Sequence, residues 1–155
     1  QVIGLENIIF IGTDSLRANT FIESVGADGT GMYFLGITMP EGVANAEFRS
    51  KYESRYGESP PGDVYGYAYD AANLLFDAIE AVAVQEEDGT LHIGRQALRD
   101  ALYATTDFEG VTGTLTCDEF GDCGTARFNI VRLDDPAAGL EGLRSNVVYT
   151  YTPEQ

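Results

Sequence analysis

Asp14 follows an apolar run, Asn7-Ile8-Ile9-Phe10-Ile11-Gly12, and stands between two hydroxyl residues, Thr13 and Ser15. A short continuous run of this kind reads as a buried parallel strand, and open α/β sheets place their ligand crevice just past the carboxyl ends of such strands. A carboxylate there can accept a charge-assisted hydrogen bond from a ligand cation; it can equally cap the helix that follows. Thr13 and Ser15 are weaker candidates in the same turn. Tyr65 is a candidate of another kind, an aromatic ring with a polar tip at a helix start, which suits a cleft wall and equally an ordinary half-buried position. Tyr67 and Tyr69 are its alternatives, with Tyr69 expected to pack in the core.

Other residue types offer less. His92, the single histidine, has no second histidine, cysteine or serine motif near it, so a surface or capping role is expected and a hydrolase finds no nucleophile with its base. Asp118, Glu119 and Asp122 invite a calcium reading, but their spacing fails the EF-hand pattern, and no metal is expected. The glycine-rich Gly26-Ala27-Asp28-Gly29-Thr30-Gly31 follows a helix and precedes a strand, the reverse of a phosphate loop. No cofactor is expected. Cys117 and Cys123 bracket a turn-like Asp118-Glu119-Phe120-Gly121-Asp122 and make a poor zinc pair. A disulfide across a hairpin is expected, which places the chain in an oxidising, extracytoplasmic compartment; the alternative is two unpaired thiols in a cytosolic protein.

Composition narrows the function classes. The chain has 155 residues, enough for one ordinary domain with a sizeable core, and 44% of them are hydrophobic. Its 25 acidic residues against 9 basic ones give a formal charge of -16, which argues against nucleic acid and against anionic lipid as partners. No apolar run approaches the about 18 residues of a membrane span. The first residues lack the charged start and long apolar stretch of a signal peptide, so the chain is expected to begin after a cleavage or, preferably, inside a longer protein.

A helix over about Leu16–Val25 and a second buried strand, Met32–Ile37, complete a βαβ unit after the first run. An amphipathic helix over Ala44–Tyr56 carries Ala44, Phe48, Tyr52 and Tyr56 on one side and an ordered Glu47–Lys51 pair on the other. Gly57 and the proline pair stop it. The central helix, Tyr65–Ala83, starts after Asp63 as N-cap and shows an apolar face of Tyr69, Ala72, Phe76, Ile79 and Ala83, widened by Leu75 and Val82. A third helix over about Gly94–Ala104 points Ile93, Ala97, Leu98, Ala101 and Leu102 inward. Val111–Cys117 and Thr125–Leu133 are β-rich and are expected to pair as a hairpin around the cysteine loop. Asp134–Asn146 reads as a polar loop and Val147–Thr152 as a last strand.

Taken in order, FIGTD, the block from Phe48 through RYGESPP to YAYDAANLLFDAIEAV, RQALRDALYATTDFEGVTG, and TLTCDEFGDCGTARFNIVRL resemble the C-terminal part of a type I periplasmic binding protein of the branched-chain amino-acid (leucine/isoleucine/valine) class. The resemblance implies an α/β fold of two lobes joined by crossovers, of which this chain is a partial copy: a βαβ unit, three helices, a hairpin and a final strand. Residues 1–38 would then belong to the second lobe, 39–116 to the helical part of the first, and 117–155 to the return into the second. It also implies that Asp14 pairs with a ligand α-ammonium group and that Tyr65 lies by the pocket for the ligand side chain. The function implied is that of a non-enzymatic, extracytoplasmic solute-binding component of an ABC importer. It would take an amino acid or similar small polar ligand and be read by a membrane permease. A ligand-sensing domain of a receptor or regulator with the same fold is the alternative. As a piece of a two-lobe fold, the chain is expected to associate as a dimer or higher oligomer, with segments of the two lobes separated or exchanged.

Overall fold

The computed structural model describes residues 8–62, 64–124 and 127–152, so Asn7 and the N-cap reading of Asp63 lie outside the described residues. In chain order the elements are β1 (Ile11–Gly12), α1 (Asn19–Val25), β2 (Tyr33–Ile37), α2 (Val43–Tyr56), α3 (Tyr65–Val82), β3 (Val84–Gln85), β4 (Leu91–His92), α4 (Arg95–Tyr103), β5 (Phe108–Gly110), β6 (Gly113–Leu115), β7 (Phe128–Arg132), α5 (Gly139–Ser145) and β8 (Val147–Tyr151). They fall into two compact units, residues 1–38 with 126–155, and residues 39–125.

The first unit is built on a sheet of order β1-β2-β7-β8. β1 and β2 are parallel and joined through α1, the βαβ unit read from the sequence, while β7 runs antiparallel to both β2 and β8. The burial expected for the first strand is corrected: β1 has two paired residues at the end of the sheet order, and Ile8, Phe10 and Ile11 are exposed with Ile9, which is 75% exposed. The helix expected from Leu16 is also divided. A 3-10 turn, Asp14–Leu16, comes first, and α1 starts only at Asn19. Phe34 of β2 and Val131 of β7 stand opposite each other and form the core with Ile22, Leu133 and Leu143.

Leu143 comes from Asp134–Asn146, where a polar loop is expected and a helix forms instead. The segment holds a 3-10 turn at Pro136–Ala138 and then α5. The Asp135 carboxylate accepts from the Ala137 N–H at 2.9 Å and Pro136 needs no N–H partner at a helix start. Leu140 and Leu143, three residues apart, then reach the core from one side of a helix. Across the connection to β8, Arg132 grips Asp134 with two bonds of 2.7 and 3.0 Å, and the guanidinium holds that carboxyl below the usual carboxylate range.

The second unit contains α2, α3, α4 and two small hairpins, β3–β4 and β5–β6. α2 ends at Gly57, whose left-handed φ of 76° suits glycine and whose N–H donates to the Glu53 carbonyl at 2.8 Å. Among the described residues α2 carries an Arg49–Glu53 ion pair at 3.9 Å, and none is found between Glu47 and Lys51. The inner face of α3 is corrected as well. Gly66, Asp70, Leu74 and Ala78 are its buried residues, whereas Tyr69 is 47% and Phe76 63% exposed. The expected hairpin of Val111–Cys117 with Thr125–Leu133 does not form. β6 pairs back on β5 through a tight turn, and β7 takes β2 and β8 as partners in the other unit. The Cys117–Cys123 disulfide is present, and it closes a turn loop instead of bridging paired strands. Within that loop the Asp118 carboxylate accepts from the Phe120 and Asp122 amides at 2.8 and 3.0 Å.

Candidate functional site

Gly12 is where the chain leaves β1, buried against its neighbours. A Cβ there would lie 3.0 Å from both Leu16 Cδ1 and Phe34 Cδ1, so the smallest residue lets the strand run directly into a turn. That turn is short and closed by its own backbone: the Leu16 N–H donates to the Thr13 carbonyl at 3.1 Å and the Arg17 N–H to the Asp14 carbonyl at 2.9 Å. The result gathers Thr13, Asp14 and Ser15, all exposed, at the carboxyl end of the parallel pair β1–β2. The Thr13 and Ser15 hydroxyls lie 2.9 Å apart, and the Ser15 N–H donates to Asp14 Oδ1 at 2.9 Å. Asp14 does not cap α1, whose N-cap position is Ala18. One carboxylate beside two hydroxyls, open to solvent, can take up a cationic group and orient it with hydroxyl bonds.

Tyr65 belongs to the other unit. Its hydroxyl donates to Asn45 Oδ1 at 2.8 Å, and the Asn45 amide in turn donates to the Pro40 carbonyl at 2.9 Å. Its ring stacks on Phe48 at 5.5 Å and 7° between planes, and Phe48 also meets Tyr69 at 4.8 Å. Tyr65 is therefore a fastened aromatic wall at the start of α3. Nearby, a groove of about 350 Å³ is lined by Phe48, Tyr69, Asn73, Phe108 and Val111, among others, and Tyr65 is not among its lining residues. His92 is exposed on β4 with Nε2 2.9 Å from the Glu86 carboxylate.

Two charged residues that sequence reasoning passed over are buried. Asp70, 2% exposed, accepts from the Val111 N–H at 2.8 Å, the Thr112 N–H at 2.7 Å and the Thr112 hydroxyl at 2.6 Å, which pins the β5–β6 turn to α3. Gly110 makes this possible, since a Cβ there would lie 2.5 Å from the carboxylate. Its signal was present in the sequence: Asp70 shares an i, i+4 row with Gly66, Leu74 and Ala78. Arg17, 8% exposed, ends the turn that carries Asp14, and it had no such signal. Among the described residues no group of three or more His, Cys, Asp or Glu is placed to hold a metal ion, and no helix is long and apolar enough to cross a membrane.

The family described as periplasmic binding protein matches residues 3–138. The structure is similar to a leucine-binding protein of Thermotoga maritima, with 23% identity, a TM-score of 0.58 and coverage of 84% of this chain and 35% of that one. It is similar to a type 1 periplasmic binding protein of Bordetella pertussis, at 19% identity and a TM-score of 0.57, over 81% and 36% of the two chains. A third likeness, at 21% identity and a TM-score of 0.50 over 81% and 32%, is to an ABC-transporter solute-binding protein of Rhodopseudomonas palustris in complex with 3,4-dihydroxybenzoic acid. The chain thus spans about a third of the length of these structures. None of the curated proteins compared with the chain matches it.

Proposed function

We propose that this chain, which belongs to the periplasmic binding protein family, is part of the extracytoplasmic solute-binding component of an ABC importer. Its two units are read as portions of the two lobes of such a protein: residues 1–38 and the end of the chain in the second lobe, the helices after residue 39 in the first. The ligand is an amino acid or a similar small polar molecule carrying an ammonium group. The observation that carries this reading is the exposed Thr13-Asp14-Ser15 turn at the carboxyl end of β1. Asp14 receives the ammonium, and Thr13 and Ser15 orient it. Tyr65, held by Asn45 and Phe48, is the wall offered to the ligand side chain.

The mechanism is binding without catalysis. Ligand bridging two lobes stabilises a closed arrangement over an open one, and a membrane permease recognises the closed form. A formal charge of -16 supports a cationic or zwitterionic solute over a purely anionic one. The disulfide supports an oxidising compartment.

Asp14→Asn tests the reading in a protein that carries this chain at the full length of its structural relatives. Calorimetry with leucine, isoleucine or valine should show a loss of about 2–4 kcal/mol of affinity, because the ammonium would lose its charged partner in a desolvated cleft. Unchanged affinity would reduce Asp14 to a turn residue.

A further inference from the structure

Arg17 ends the turn that presents Asp14, and its own N–H donates to the Asp14 carbonyl at 2.9 Å. From there the side chain runs back over the sheet and is buried, with Nη1 donating to Asn129 Oδ1 at 3.0 Å. Asn129 of β7 stands directly opposite Gly36 of β2, one residue from the carboxyl end of β2. Gly36 is buried, and a Cβ placed on it would overlap the guanidinium, reaching 2.7 Å from Cζ and 2.9 Å from Cδ. Gly36 is not among the glycines of positive φ, so its backbone would accept any residue. Space for Arg17 is what position 36 requires.

A buried guanidinium is costly to desolvate, and an aliphatic side chain would cover the same sheet without that cost. What an aliphatic cannot supply is a rigid, directional fork of donors. We propose that Arg17, seated on Gly36 and Asn129, is a positioning residue that fixes the turn at the end of β1 and so sets the geometry in which Asp14 meets a ligand. The second half of that statement rests on the function proposed above, whereas the first half is a property of the chain alone. Arg17 connects three strands: it starts from the turn after β1, lies on β2 and bonds to β7. A ligand pulling on Asp14 therefore pulls on the sheet, with little slack in the turn.

Amide hydrogen exchange on the 155-residue chain tests this without any ligand. The reporters are Leu16 and Arg17, whose amides close the turn, and Leu133, whose amide bonds to the Met32 carbonyl in the same unit at the other end of β7. Gly36→Ala should speed exchange at residues 16 and 17 at least tenfold, although Arg17 is still present, because the new methyl evicts the guanidinium. Leu133 should hardly respond. Arg17→Ala should give the same pattern, and adding Gly36→Ala to it should change nothing further, since the clash is gone. Asn129→Leu removes one acceptor of the guanidinium while keeping the number of side-chain heavy atoms and should give a weaker version of the pattern, even if Gly36→Ala fails to fold. Arg17→Lys keeps the charge but not the fork and should not restore slow exchange.

Unaltered exchange at residues 16 and 17 in Arg17→Ala and Asn129→Leu would overturn the proposal. So would equal acceleration at Leu133, which would mean a general loss of stability. Failure of the wild-type chain to respond to leucine, with the exchange pattern intact, would count against the ligand reading and leave the positioning role standing.

Discussion

Among the described residues Arg17 and Asp70 are the buried charges, one in each unit, and each ties a turn to a larger element. Asp70 offers both oxygens to a turn that presents two N–H groups and a hydroxyl. Asp70→Asn keeps the volume but replaces one acceptor by a donor, leaving buried N–H groups facing each other. That substitution should cost about 1–3 kcal/mol, measured as a lower denaturation midpoint with faster exchange at Val111 and Thr112. An unchanged midpoint would mean that water serves the turn equally well. The contrast between these residues and Asp14 explains what was legible at this scale. Thr13, Asp14 and Ser15 are adjacent, so their turn follows from local chemistry. The partners of Asp70 lie 41 and 42 residues away, and Asn129, an acceptor for Arg17, lies 112 away, so local spacing does not name these partners even where the Gly66-Asp70-Leu74-Ala78 row marks a buried face.

At the scale of elements, α2, α3 and α4 were readable from periodicity and β2 and β8 as short strand-like runs, while faces and partners were not. α3 has apolar residues almost all round, so a stripe through Tyr69 and Phe76 competes with one through Leu74 and Ala78. The bonds of Asp70 and the close contact of Gly66 with the Met39 side chain select the second. Leu74→Ala should therefore destabilise the chain by about 2–4 kcal/mol, and Phe76→Ala by less than about 0.5 kcal/mol, in thermal or denaturant melts. The reverse order would restore the face read from the sequence. The hairpin error has the same origin: β-propensity marks which residues are extended, and partner choice is a tertiary matter. α5 escaped because Leu140 and Leu143 are too few to make a period, and only the core they reach gives them meaning.

For the molecule as a whole, the sheet of the first unit buries Phe34 and Val131 on one face, and other apolar side chains that it carries are exposed among the described residues. Ile11, Leu35, Tyr149 and Tyr151 are exposed large apolar residues on it, and β1 and β8 end the strand order. A sheet carrying apolar side chains on both faces is the pattern of an α/β layer with cover on either side. Here the chain spans about a third of the length of its structural relatives. The isolated chain should therefore self-associate, opposed by its formal charge of -16, so that association strengthens as salt screens the repulsion. Sedimentation velocity at low and high ionic strength measures this; a compact monomer under both conditions would contradict that expectation.

Whether the turn holding Asp14 receives a ligand ammonium group is decided by titrating the isotopically labelled 155-residue chain with L-leucine and following it amide by amide. The expected result is weak, saturable binding in the millimolar range, about -4 kcal/mol, because the turn is one wall of the proposed cleft. Shifts should centre on residues 13–17, vanish in Asp14→Asn, and be absent when benzoate, a carboxylate without an ammonium, replaces leucine. An undisturbed turn at saturating leucine, or the same shifts in Asp14→Asn, would contradict the claim.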